Sequence, residues 1–259
     1  MLENKKNNMA TLAAVLIVKN EEENIENCLR SLDFADEIII LDSNSEDKTV
    51  KIAQKYTDKI YVDNNWSGYG LQRQKAQKYV NCDWVLMIDA DEIVTEKLKK
   101  NILKIIRQDN KNCVYSLSRL SICFGRKILH SGWYPDWITR LYPNNSANWD
   151  DALVHEKLLH NLKNVKLKGD LIHYPYKDLS HYLIKSSKYA QAWAMSKNKL
   201  GKKASLTQGI IHAIACFIKM YIIKLGFLDK KQGFLLAILS AHSTFIKYAD
   251  LWELQNNEK

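Results

Sequence analysis

The hydrophobic pattern of the first part of the chain alternates between short apolar runs and segments with helical spacing. Apolar runs predict four strands, at residues 12–18, 37–42, 59–63 and 83–89. Between them the spacing predicts three helices, at residues 20–32, 45–56 and 69–80. Strands without polar alternation are typical of a sheet that is buried on both faces. Strands that alternate with helices predict an α/β domain with a mostly parallel sheet flanked by helices.

The pattern changes after residue 111. Residues 112–125 predict one or two further strands, and a loop-rich stretch with many aromatic residues follows them. Residues 179–259 contain no proline and predict a C-terminal helical extension. We therefore predict two domains, one at residues 1–178 and the other at residues 179–259.

Polar residues gather directly after the predicted strands. The four clusters are KNEE, DSNSED, DNNWSGYG and DADE. The carboxyl ends of parallel strands lie at the same edge of a sheet, and ligands of open α/β sheets bind there. The sequence therefore predicts one site that is built from the ends of several strands.

Two carboxylates separated by one residue, Asp89 and Asp91, end the fourth predicted strand. Carboxylates suit a hard divalent cation such as Mg²⁺ or Mn²⁺, whose remaining positions are taken by water and phosphate oxygens. The alternative is that these acids belong to the N-terminus of the helix predicted from Thr95, where the helix dipole favours negative charge. Their position at the end of a parallel strand favours the metal site.

Asp42 ends the second predicted strand and precedes the small polar residues Ser43 and Ser45. Such residues can hydrogen-bond a base or a ribose at the sheet edge. Ser45 or Asp47 also fits the cap of the following helix, which leaves the Asp42 carboxylate available for a ligand. The sequence has neither a GxGxxG motif after the first strand nor a GxxxxGK[ST] motif, which argues against a dinucleotide fold and excludes a P-loop.

Charge is distributed unevenly along the chain. Residues 157–259 carry 17 lysines against six acidic residues, a net charge of +11, whereas residues 1–156 carry a net charge of −2. A basic C-terminal part predicts an anionic partner, either anionic lipid or nucleic acid. The five cysteines are scattered and show no CxxC spacing. This predicts free thiols in a reducing compartment and argues against a disulfide framework or a zinc site.

Four segments of the first part carry a family resemblance: AAVLIVKNEEENI, EIIILDSNSEDKT, WSGYGLQRQKAQ and MIDADE. Their order resembles that of the family 2 glycosyltransferases of GT-A fold. GWYPDWITRLYP, ALVHEKL and the segment at residues 220–252 are similar to bacterial lipopolysaccharide core glycosyltransferases that add glucose to the inner-core heptose. The resemblance extends from about residue 12 to residue 253, and the family commonly has Gly where Asn44 stands in DSNS.

The resemblance implies an inverting transfer of a hexose, with glucose from UDP-glucose as the expected donor and heptose of the inner core as the expected acceptor. It implies that Asp42, with Ser43 and Ser45, lies near the nucleoside. It also implies that Asp89 and Asp91 hold Mg²⁺ or Mn²⁺ against the diphosphate, where metal and nearby cations stabilise the departing UDP. Galactose or an N-acetylhexosamine fits the same motifs.

Gln72 and Arg73 are candidates to assist the departure of UDP. Both lie on the helix predicted after the loop that contains Gly68 and Gly70. The alternative for Arg73 is a surface position on an amphipathic helix.

Inversion requires a general base that removes the proton from the acceptor hydroxyl. Asp136 in YPDWITRLYP is favoured, because it lies in the region where the wider family places its catalytic acid. Glu156 in VHEKL is the second candidate, with His155 beside it as a further metal or phosphate contact. Asp150 and Asp151 form the third.

An ion pair in a loop is the alternative role for each of these acids. For Asp136 the partner in such a pair would be Arg140, four residues later. Trp133, Tyr134 and Trp137 can stack on sugar faces, and the alternative for clustered aromatic residues is core packing.

Two apolar stretches, residues 209–227 and 233–252, lie in the basic part of the chain. The first is interrupted by charged residues and the second is short of a full span, so we predict no transmembrane helix. Both fit the interface of an anionic membrane, with apolar side chains in lipid and lysines on phosphate; the alternative is a helical pair that packs on the catalytic domain. We expect a peripheral enzyme at the cytoplasmic face of the bacterial inner membrane, acting on a lipid-A-linked core oligosaccharide.

Two other functional classes are compatible with parts of the sequence. A nucleotidyltransferase also pairs carboxylates on an α/β sheet, but it normally has a glycine-rich loop after the first strand, where this chain has the acidic KNEEEN. A nucleic-acid-binding protein would explain the pI near 9.1. No recognised nucleic-acid motif is present, and the lysines lie beside long apolar runs, so we expect no nucleic-acid partner.

Overall fold

The structure is a computed structural model that describes residues 9–152 and 156–257. The chain divides into two compact units. Met1–Arg119 and Asp136–His173 form the first unit, and Leu120–Pro135 and Tyr174–Lys259 form the second. Residues 120–135 thus group with the C-terminal helices, whereas the sequence-based boundary at residue 178 assigns them to the first domain.

Strands and helices alternate along the first unit, and helices follow in the second. The strands are β1 (Leu12–Val18), β2 (Glu37–Asp42), β3 (Ile60–Val62), β4 (Trp84–Met87), β5 (Glu92–Val94), β6 (Cys113–Cys123), β7 (Arg126–Lys127), β8 (Asp136–Pro143), β9 (Asn148–Trp149), β10 (Leu158–Leu159) and β11 (Lys163–His173). The α-helices are α1 (Ile25–Arg30), α2 (Thr49–Ala53), α3 (Tyr69–Gln77), α4 (Glu96–Gln108), α5 (Leu179–Lys199), α6 (Leu206–Phe217) and α7 (Lys230–Asn257).

The sheet of the first unit is parallel on one side and antiparallel on the other. Its strand order is β3-β2-β1-β4-β8-β6-β11-β5. β1 pairs in parallel with β2 and β4, and β2 pairs in parallel with β3. β8 runs antiparallel to both β4 and β6, and β11 runs antiparallel to β5. The carboxyl ends of β1, β2 and β4 therefore lie at one edge, as the sequence predicts.

The core explains why β1 is apolar throughout. Its residues alternate between two buried clusters, with Leu12 and Leu16 in one and Ala13 and Val15 in the other. α4 packs on the first of these faces through one side of its helix, and α3 contributes Ala76 to the second. A strand that is covered on both faces has no position for a polar side chain.

The predicted fold class, an α/β sheet flanked by helices with a C-terminal helical extension, is confirmed. β1 and β2 have the predicted bounds, and β3 and β4 are shorter than predicted. The helix predicted at residues 45–56 is reduced to α2, because residues 42–48 form a polar turn. In this turn Ser45 bonds to Asp42, and Asp47 accepts from the backbone N–H of Glu22 in the loop after β1. The stretch expected to be rich in loops contains β8, an eight-residue strand.

The second unit is built around α7, against which both α5 and α6 pack. Gly209 of α6 allows close approach, since a Cβ there would lie 3.1 Å from the Tyr248 side chain. After α6 the helix continues as a π-helical segment, Ile218–Ile223, and a 3₁₀ turn, Gly226–Asp229, leads into α7. Asp229 is buried and accepts hydrogen bonds from the backbone N–H groups of Leu129 and His130.

One helical stretch of the described chain, Leu206–Ile223, has the length and apolar composition of a membrane-crossing helix. The sequence-based expectation that this stretch does not cross a membrane stays a prediction.

Candidate active site at the carboxyl ends of the strands

The turn after β2 is closed by Asp42 itself. Its Oδ2 accepts a hydrogen bond from the Ser45 backbone N–H at 2.9 Å, and its Oδ1 accepts one from the Ser45 hydroxyl at 2.5 Å. The expectation that the Asp42 carboxylate is left available was therefore wrong: it is buried and holds the turn. Asn44 has a φ of 62°, a left-handed conformation that asparagine tolerates, which explains how it replaces the family's glycine.

Neither predicted cap acts on α2 in the expected way. α2 begins at Thr49, after Lys48, and Ser45 bonds to Asp42 instead. The Asp47 carboxylate accepts from both the backbone N–H and the hydroxyl of Thr49. The cap is displaced because the turn continues through Lys48, so that α2 begins four residues after the predicted start of the helix.

Ser43 and Gln72, both predicted to lie near the donor, are in contact. The Gln72 amide donates to the Ser43 hydroxyl at 3.1 Å, and both side chains are buried. The Ser43 backbone N–H donates to the Val18 carbonyl at 2.8 Å, which ties the ends of β1 and β2 together. α3 thus joins the polar residues that follow two neighbouring strands.

Asp89 lies between two buried arginines. Its Oδ1 accepts from Nη2 of Arg73 at 2.7 Å, and its Oδ2 accepts from Nη2 of Arg140 at 2.8 Å. Burial raises the pKa of the Asp89 carboxyl, but the charges of Arg140 and Arg73 outweigh this effect and hold that pKa well below its ordinary value. Asp89 is therefore ionised, and it compensates two cations that would be costly to bury alone.

Arg73 is not a surface residue, as one interpretation of α3 would have it. Its side chain is 2% exposed, and its Nε donates to Oε1 of Glu156 at 2.9 Å. The guanidinium groups of Arg73 and Arg140 both lie over the ring of Trp149, at 5.0 and 5.4 Å from its centroid. Arg73 therefore links Asp89 with Glu156, two of the predicted site residues.

Each of these arginines has one nitrogen, Nη1, that makes no hydrogen bond within the described chain. Nη1 of Arg73 and Nη1 of Arg140 are buried and have no hydrogen-bond partner among the described residues. A buried donor without a partner is costly, so these two N–H groups are suited to an anionic ligand at the end of β4.

Asp91 and Glu92 are not part of a helix N-terminus. β5 separates Asp91 from α4, and the hydroxyl of Thr95 caps that helix by accepting from the Leu98 N–H. Glu92 is fully buried and accepts from the Asp89 N–H at 3.0 Å; burial and the nearby charge of Asp89 raise its pKa. Asp91 forms an ion-pair contact of 3.5 Å with Nε2 of His173 and stays partly exposed. The alternative interpretation of Asp89 and Asp91 as acids of a helix N-terminus is therefore wrong.

The site fits a divalent cation through Asp91. Among residues 9–152 and 156–257, no group of three or more His, Cys, Asp or Glu side chains could hold a metal ion. Such a group is not required at a diphosphate, because Mg²⁺ is commonly bound by one or two carboxylates together with substrate phosphates. Both carboxylate oxygens of Asp89 accept hydrogen bonds from arginine. Asp91, which is partly exposed, is therefore the residue of the described chain whose carboxylate could bind the cation. His155, the other predicted metal contact, lies outside the described residues.

Asp136, the favoured candidate for the base, begins β8 and is held by Arg119. Nε and Nη2 of Arg119 donate to the same oxygen, Oδ2 of Asp136, at 2.8 and 2.6 Å. The two residues are partners in the β6–β8 register. An ion pair of Asp136 with Arg140 is not formed, since Arg140 bonds to Asp89. The side chain of Asp136 is 43% exposed, so it is open to solvent on one side.

The remaining candidates have structural contacts. Oδ1 of Asp150 accepts a hydrogen bond from the Ala152 backbone N–H. The backbone carbonyl of Asp150 packs closely on Gly70. Trp133 packs in the second unit, close to a small buried cluster, as the core-packing interpretation expects. Trp137 is at the surface of the first unit, with the Lys166 ammonium 4.9 Å from its ring centroid.

Sequence reasoning missed three residues that build the site: Arg119, Arg140 as the partner of Asp89, and Glu92. Arg119 and Arg140 lie on β6 and β8, strands that the pattern does not align in the sheet. The available signal was the charge balance, because three acids at the end of a buried strand require cations close by.

The chain is similar to known proteins along most of its length. A glycosyltransferase of Rickettsia bellii is 29% identical over 255 residues, which cover 94% of this chain and 86% of that protein. The lipopolysaccharide core biosynthesis glycosyltransferase LpsC of Rhizobium meliloti is 25% identical over 257 residues, 92% of this chain and 93% of that protein. The solved structure of S. aureus TarS 1–349 in complex with UDP is 16% identical, covers 96% of this chain and 92% of that one, and has a TM-score of 0.49.

The family model for glycosyl transferase family 2 matches residues 13–161, which contain the whole parallel part of the sheet and the Asp89 cluster. Since this match covers more than half of the chain, and full-length relatives are glycosyltransferases, the chain belongs to glycosyl transferase family 2.

Proposed function

We propose that this glycosyltransferase transfers a hexose from a UDP-sugar, with glucose as the first candidate, to the heptose of a lipopolysaccharide inner core with inversion at the anomeric carbon. The observation that carries the proposal is the Asp89–Asp91 cluster. Asp89 pairs with two buried arginines that each have an unused donor, and the partly exposed Asp91 follows two residues later in the chain. This combination suits a diphosphate and its cation.

The nucleoside of the donor is assigned to the turn after β2. Asp42 and Ser45 hold this turn, and Gln72 bonds to the Ser43 hydroxyl. Because Ser45 bonds to Asp42 and Gln72 bonds to Ser43, the polar turn is held in one conformation before the donor arrives. Rigid polar groups hydrogen-bond a base or ribose at a lower entropic cost than mobile ones.

The diphosphate is assigned to the ends of β4 and α3. When bound, a divalent ion neutralises the charge that builds on the leaving diphosphate, and Asp91 is the described residue that would hold it. The free N–H groups of Arg73 and Arg140 donate to phosphate oxygens in this proposal. Their positions are fixed by Asp89, Glu156 and Trp149, so no reorganisation is needed as negative charge develops.

Asp136 is assigned as the general base. The acceptor oxygen forms a bond to the anomeric carbon while the bond to the UDP oxygen breaks, and its electron pair leaves with the β-phosphate. The acceptor proton passes to the Asp136 carboxylate. Arg119 engages Oδ2 of Asp136, which makes Oδ1 the acceptor of that proton. Glu156 remains the second candidate, although its Oε1 accepts from Arg73.

The acceptor assignment draws support from the relationship to LpsC, whose name states a role in lipopolysaccharide core biosynthesis. The sugar and the acceptor hydroxyl are the finer parts of the proposal. Other UDP-sugar-dependent transferases of cell-surface polysaccharide synthesis would use the same donor chemistry. A comparison of acceptors therefore distinguishes transfer to the lipopolysaccharide core from transfer to another cell-surface polysaccharide.

The test is a transfer assay with purified enzyme and lipopolysaccharide truncated at the inner-core heptose. UDP-glucose, UDP-galactose, UDP-N-acetylglucosamine and GDP-mannose are compared, each with Mn²⁺ and with EDTA, and the product is identified by mass spectrometry. We expect metal-dependent transfer from one UDP-hexose. Transfer from GDP-mannose alone, or undiminished transfer in EDTA, would overturn the donor and metal assignments. Transfer to another polysaccharide precursor but not to the core would overturn the acceptor.

A further inference from the structure

The outer face of α6 and the segment after it carry an unusual number of exposed apolar side chains. Leu206, Ile210, Ile214, Ile218 and Ile222 recur every fourth residue, and each is more than a third exposed. Residues four apart lie on the same side of a helix. The opposite side of α6, which contains Gly209, packs against α7.

This face continues past the helix. Leu225, Phe227 and Leu228, in and next to the 3₁₀ turn, are each 45–47% exposed. Each is thus about half exposed, although the Phe227 ring contacts Tyr221. Many exposed apolar side chains within one segment are typical of an interaction site. We name the exposed apolar residues of 206–228 the α6 face.

The charges around the α6 face have one sign. Residues 199–231 contain seven lysines and a single acidic residue, Asp229. Asp229 is 1% exposed and accepts from two backbone N–H groups, so it presents no charge to solvent. Lys219 and Lys224, by contrast, are exposed within the apolar segment itself.

We propose that the α6 face is a membrane-docking surface that lies in the plane of an anionic bilayer. Its isoleucine and leucine side chains enter the acyl boundary, and its lysines contact lipid phosphates. This surface is independent of the sugar-transfer chemistry and of the donor and acceptor proposed above.

The charge pattern argues against a second copy of the chain as the occupant. In a two-fold interface the same patch meets itself, so Lys219 and Lys224 would face other lysines without acidic partners. Crossing the bilayer is disfavoured for a different reason. Leu206–Ile223 spans 18 residues, about 27 Å at the rise of an α-helix, with Lys219 inside it, and one side is engaged by α7.

The experiment measures binding of the full chain to vesicles by flotation, with no sugar nucleotide or acceptor present. Vesicles of phosphatidylcholine alone are compared with vesicles that also contain phosphatidylglycerol. We expect binding to the anionic vesicles and little binding to the neutral ones. Replacing Lys219 and Lys224 by Gln should weaken binding to anionic vesicles about five-fold for each lysine removed.

The apolar contribution is tested by Ile214→Glu and Ile222→Glu, each of which should lower the partition coefficient about ten-fold or more. Leu159→Glu is the matched control: Leu159 lies in the first unit and is 57% exposed, against 56% for Ile214. It should bind as the unchanged protein does. Circular dichroism confirms that each variant is folded, as expected for exposed positions.

Three outcomes would overturn the proposal. The first is equal loss of binding in Leu159→Glu and Ile214→Glu. The second is retention in membranes after extraction at alkaline pH, which would show a spanning helix. The third is absence of vesicle binding together with a concentration-dependent dimer, measured by analytical ultracentrifugation, that Ile214→Glu abolishes.

Discussion

Asp89 and Asp91 differ in what surrounds them, and this separates their roles. Asp89 is the counter-charge of two buried arginines, whereas Asp91 lies 3.5 Å from Nε2 of His173. We expect Asp89→Asn to lower the free energy of unfolding by about 3 kcal/mol, because it leaves a buried cation uncompensated. Asp91→Asn should change it by less than about 0.5 kcal/mol. Urea unfolding of the two variants measures both values.

Asp91→Asn, which should change stability little, should change transferase activity strongly. Asp91→Asn should reduce activity about a hundredfold or more, because metal stabilisation of a leaving group contributes several kcal/mol. The control is Asp33→Asn, an exposed acid of the first unit whose partner is the surface residue Lys99. A fully active Asp91→Asn enzyme would contradict the assignment of Asp91 to the cation.

Arg119 is predicted to position Asp136. We expect Arg119→Gln to lower kcat about ten- to a hundredfold with little change in KM for the donor, because a base that loses its orientation is less effective. Arg119→Lys should lose less activity than Arg119→Gln, because the lysine ammonium can supply one of the two N–H donors to Oδ2 of Asp136. Steady-state kinetics with varied donor and acceptor give both constants. A rise in donor KM with unchanged kcat would assign Arg119 to donor binding instead.

At the residue scale, the sequence predicted the acids of the candidate site but not their partners. Asp89, Asp91 and Asp136 follow from strand ends and motif resemblance. The pairing of Arg119 with Asp136 depends on the β6–β8 register, which includes a shift between Tyr115 and Ser116. Such irregularities leave no periodic signal in the sequence.

At the scale of elements, α3 is fixed by a close approach of two backbones. The Gly70 N–H donates to the Ala152 carbonyl at 3.1 Å, and a Cβ at Gly70 would lie 2.0 Å from the Asp150 carbonyl oxygen. Gly70→Ala must therefore displace the start of the helix that carries Gln72 and Arg73.

We expect Gly70→Ala to lower the free energy of unfolding by about 2 kcal/mol or more, as overpacking of rigid backbone does, and to reduce donor binding. Gly201→Ala is the matched control, because its φ is 66° but nothing lies within 4 Å of an added Cβ. It should cost about 1 kcal/mol from backbone strain alone and leave activity unchanged. Calorimetric titration with UDP and urea unfolding test the pair; equal effects of the two substitutions would refute the steric argument.

Elements buried on both faces were the easiest to predict, because their apolar runs have clear ends. β1 and β2 are examples. β8 was harder to predict, because TRLYP contains a buried arginine among apolar residues. A charged residue at that position of the sequence is more typical of a loop than of a buried strand. α2 was overestimated since Ser45 bonds backwards to Asp42 rather than forwards to a helix, a competition that Ser and Asp side chains commonly win.

At the scale of the whole molecule, the thiols report on global folding. All five cysteines are free, and Cys28, Cys82, Cys113 and Cys123 are buried. Burial raises the pKa of Cys82 to about 11 and that of Cys123 to about 12, and it raises that of Cys28 as well. Since the thiolate is the reactive form, a pKa of about 11 leaves about a thousandth of the thiol reactive at pH 8.

We therefore expect iodoacetamide at pH 8 to label Cys216, which is half-buried, well before the other four. Unfolding in urea should make all five react at similar rates. Mass spectrometry of tryptic peptides gives the labelling of each site. Modification of Cys28 in the folded protein at the rate of Cys216 would contradict the burial of α1 against the sheet.

The division of the molecule into units was only partly predictable. The helical nature of the C-terminal part follows from its lack of proline and its apolar spacing. The inclusion of Leu120–Pro135 in the second unit does not, because it depends on contacts far apart in the chain, such as Cys123 with Leu236 in one buried cluster. Charge asymmetry was visible in the sequence, but the placement of isoleucines on the outer face of α6 required knowing which face packs on α7.

Ligand-linked stability tests the proposed donor site without involving the membrane surface. UDP at about 100 times its Kd should stabilise the protein by about 2.7 kcal/mol if it binds only the folded state. For a chain of this size that corresponds to a rise in Tm of about 5 to 10 °C. We expect the rise with UDP and Mn²⁺ together, and a much smaller one with UDP in EDTA.

Three variants show which residues the rise in Tm depends on. Asp91→Asn should lose the part of the rise that depends on Mn²⁺, because the described carboxylate for the cation is gone. Ile214→Glu should keep the full rise, since the α6 face takes no part in donor binding. Arg119→Gln should also keep it, because its effect is on the acceptor proton. A rise with GDP equal to that with UDP, or one that persists in EDTA, would refute uridine selectivity or metal dependence while leaving the vesicle-binding result unaffected.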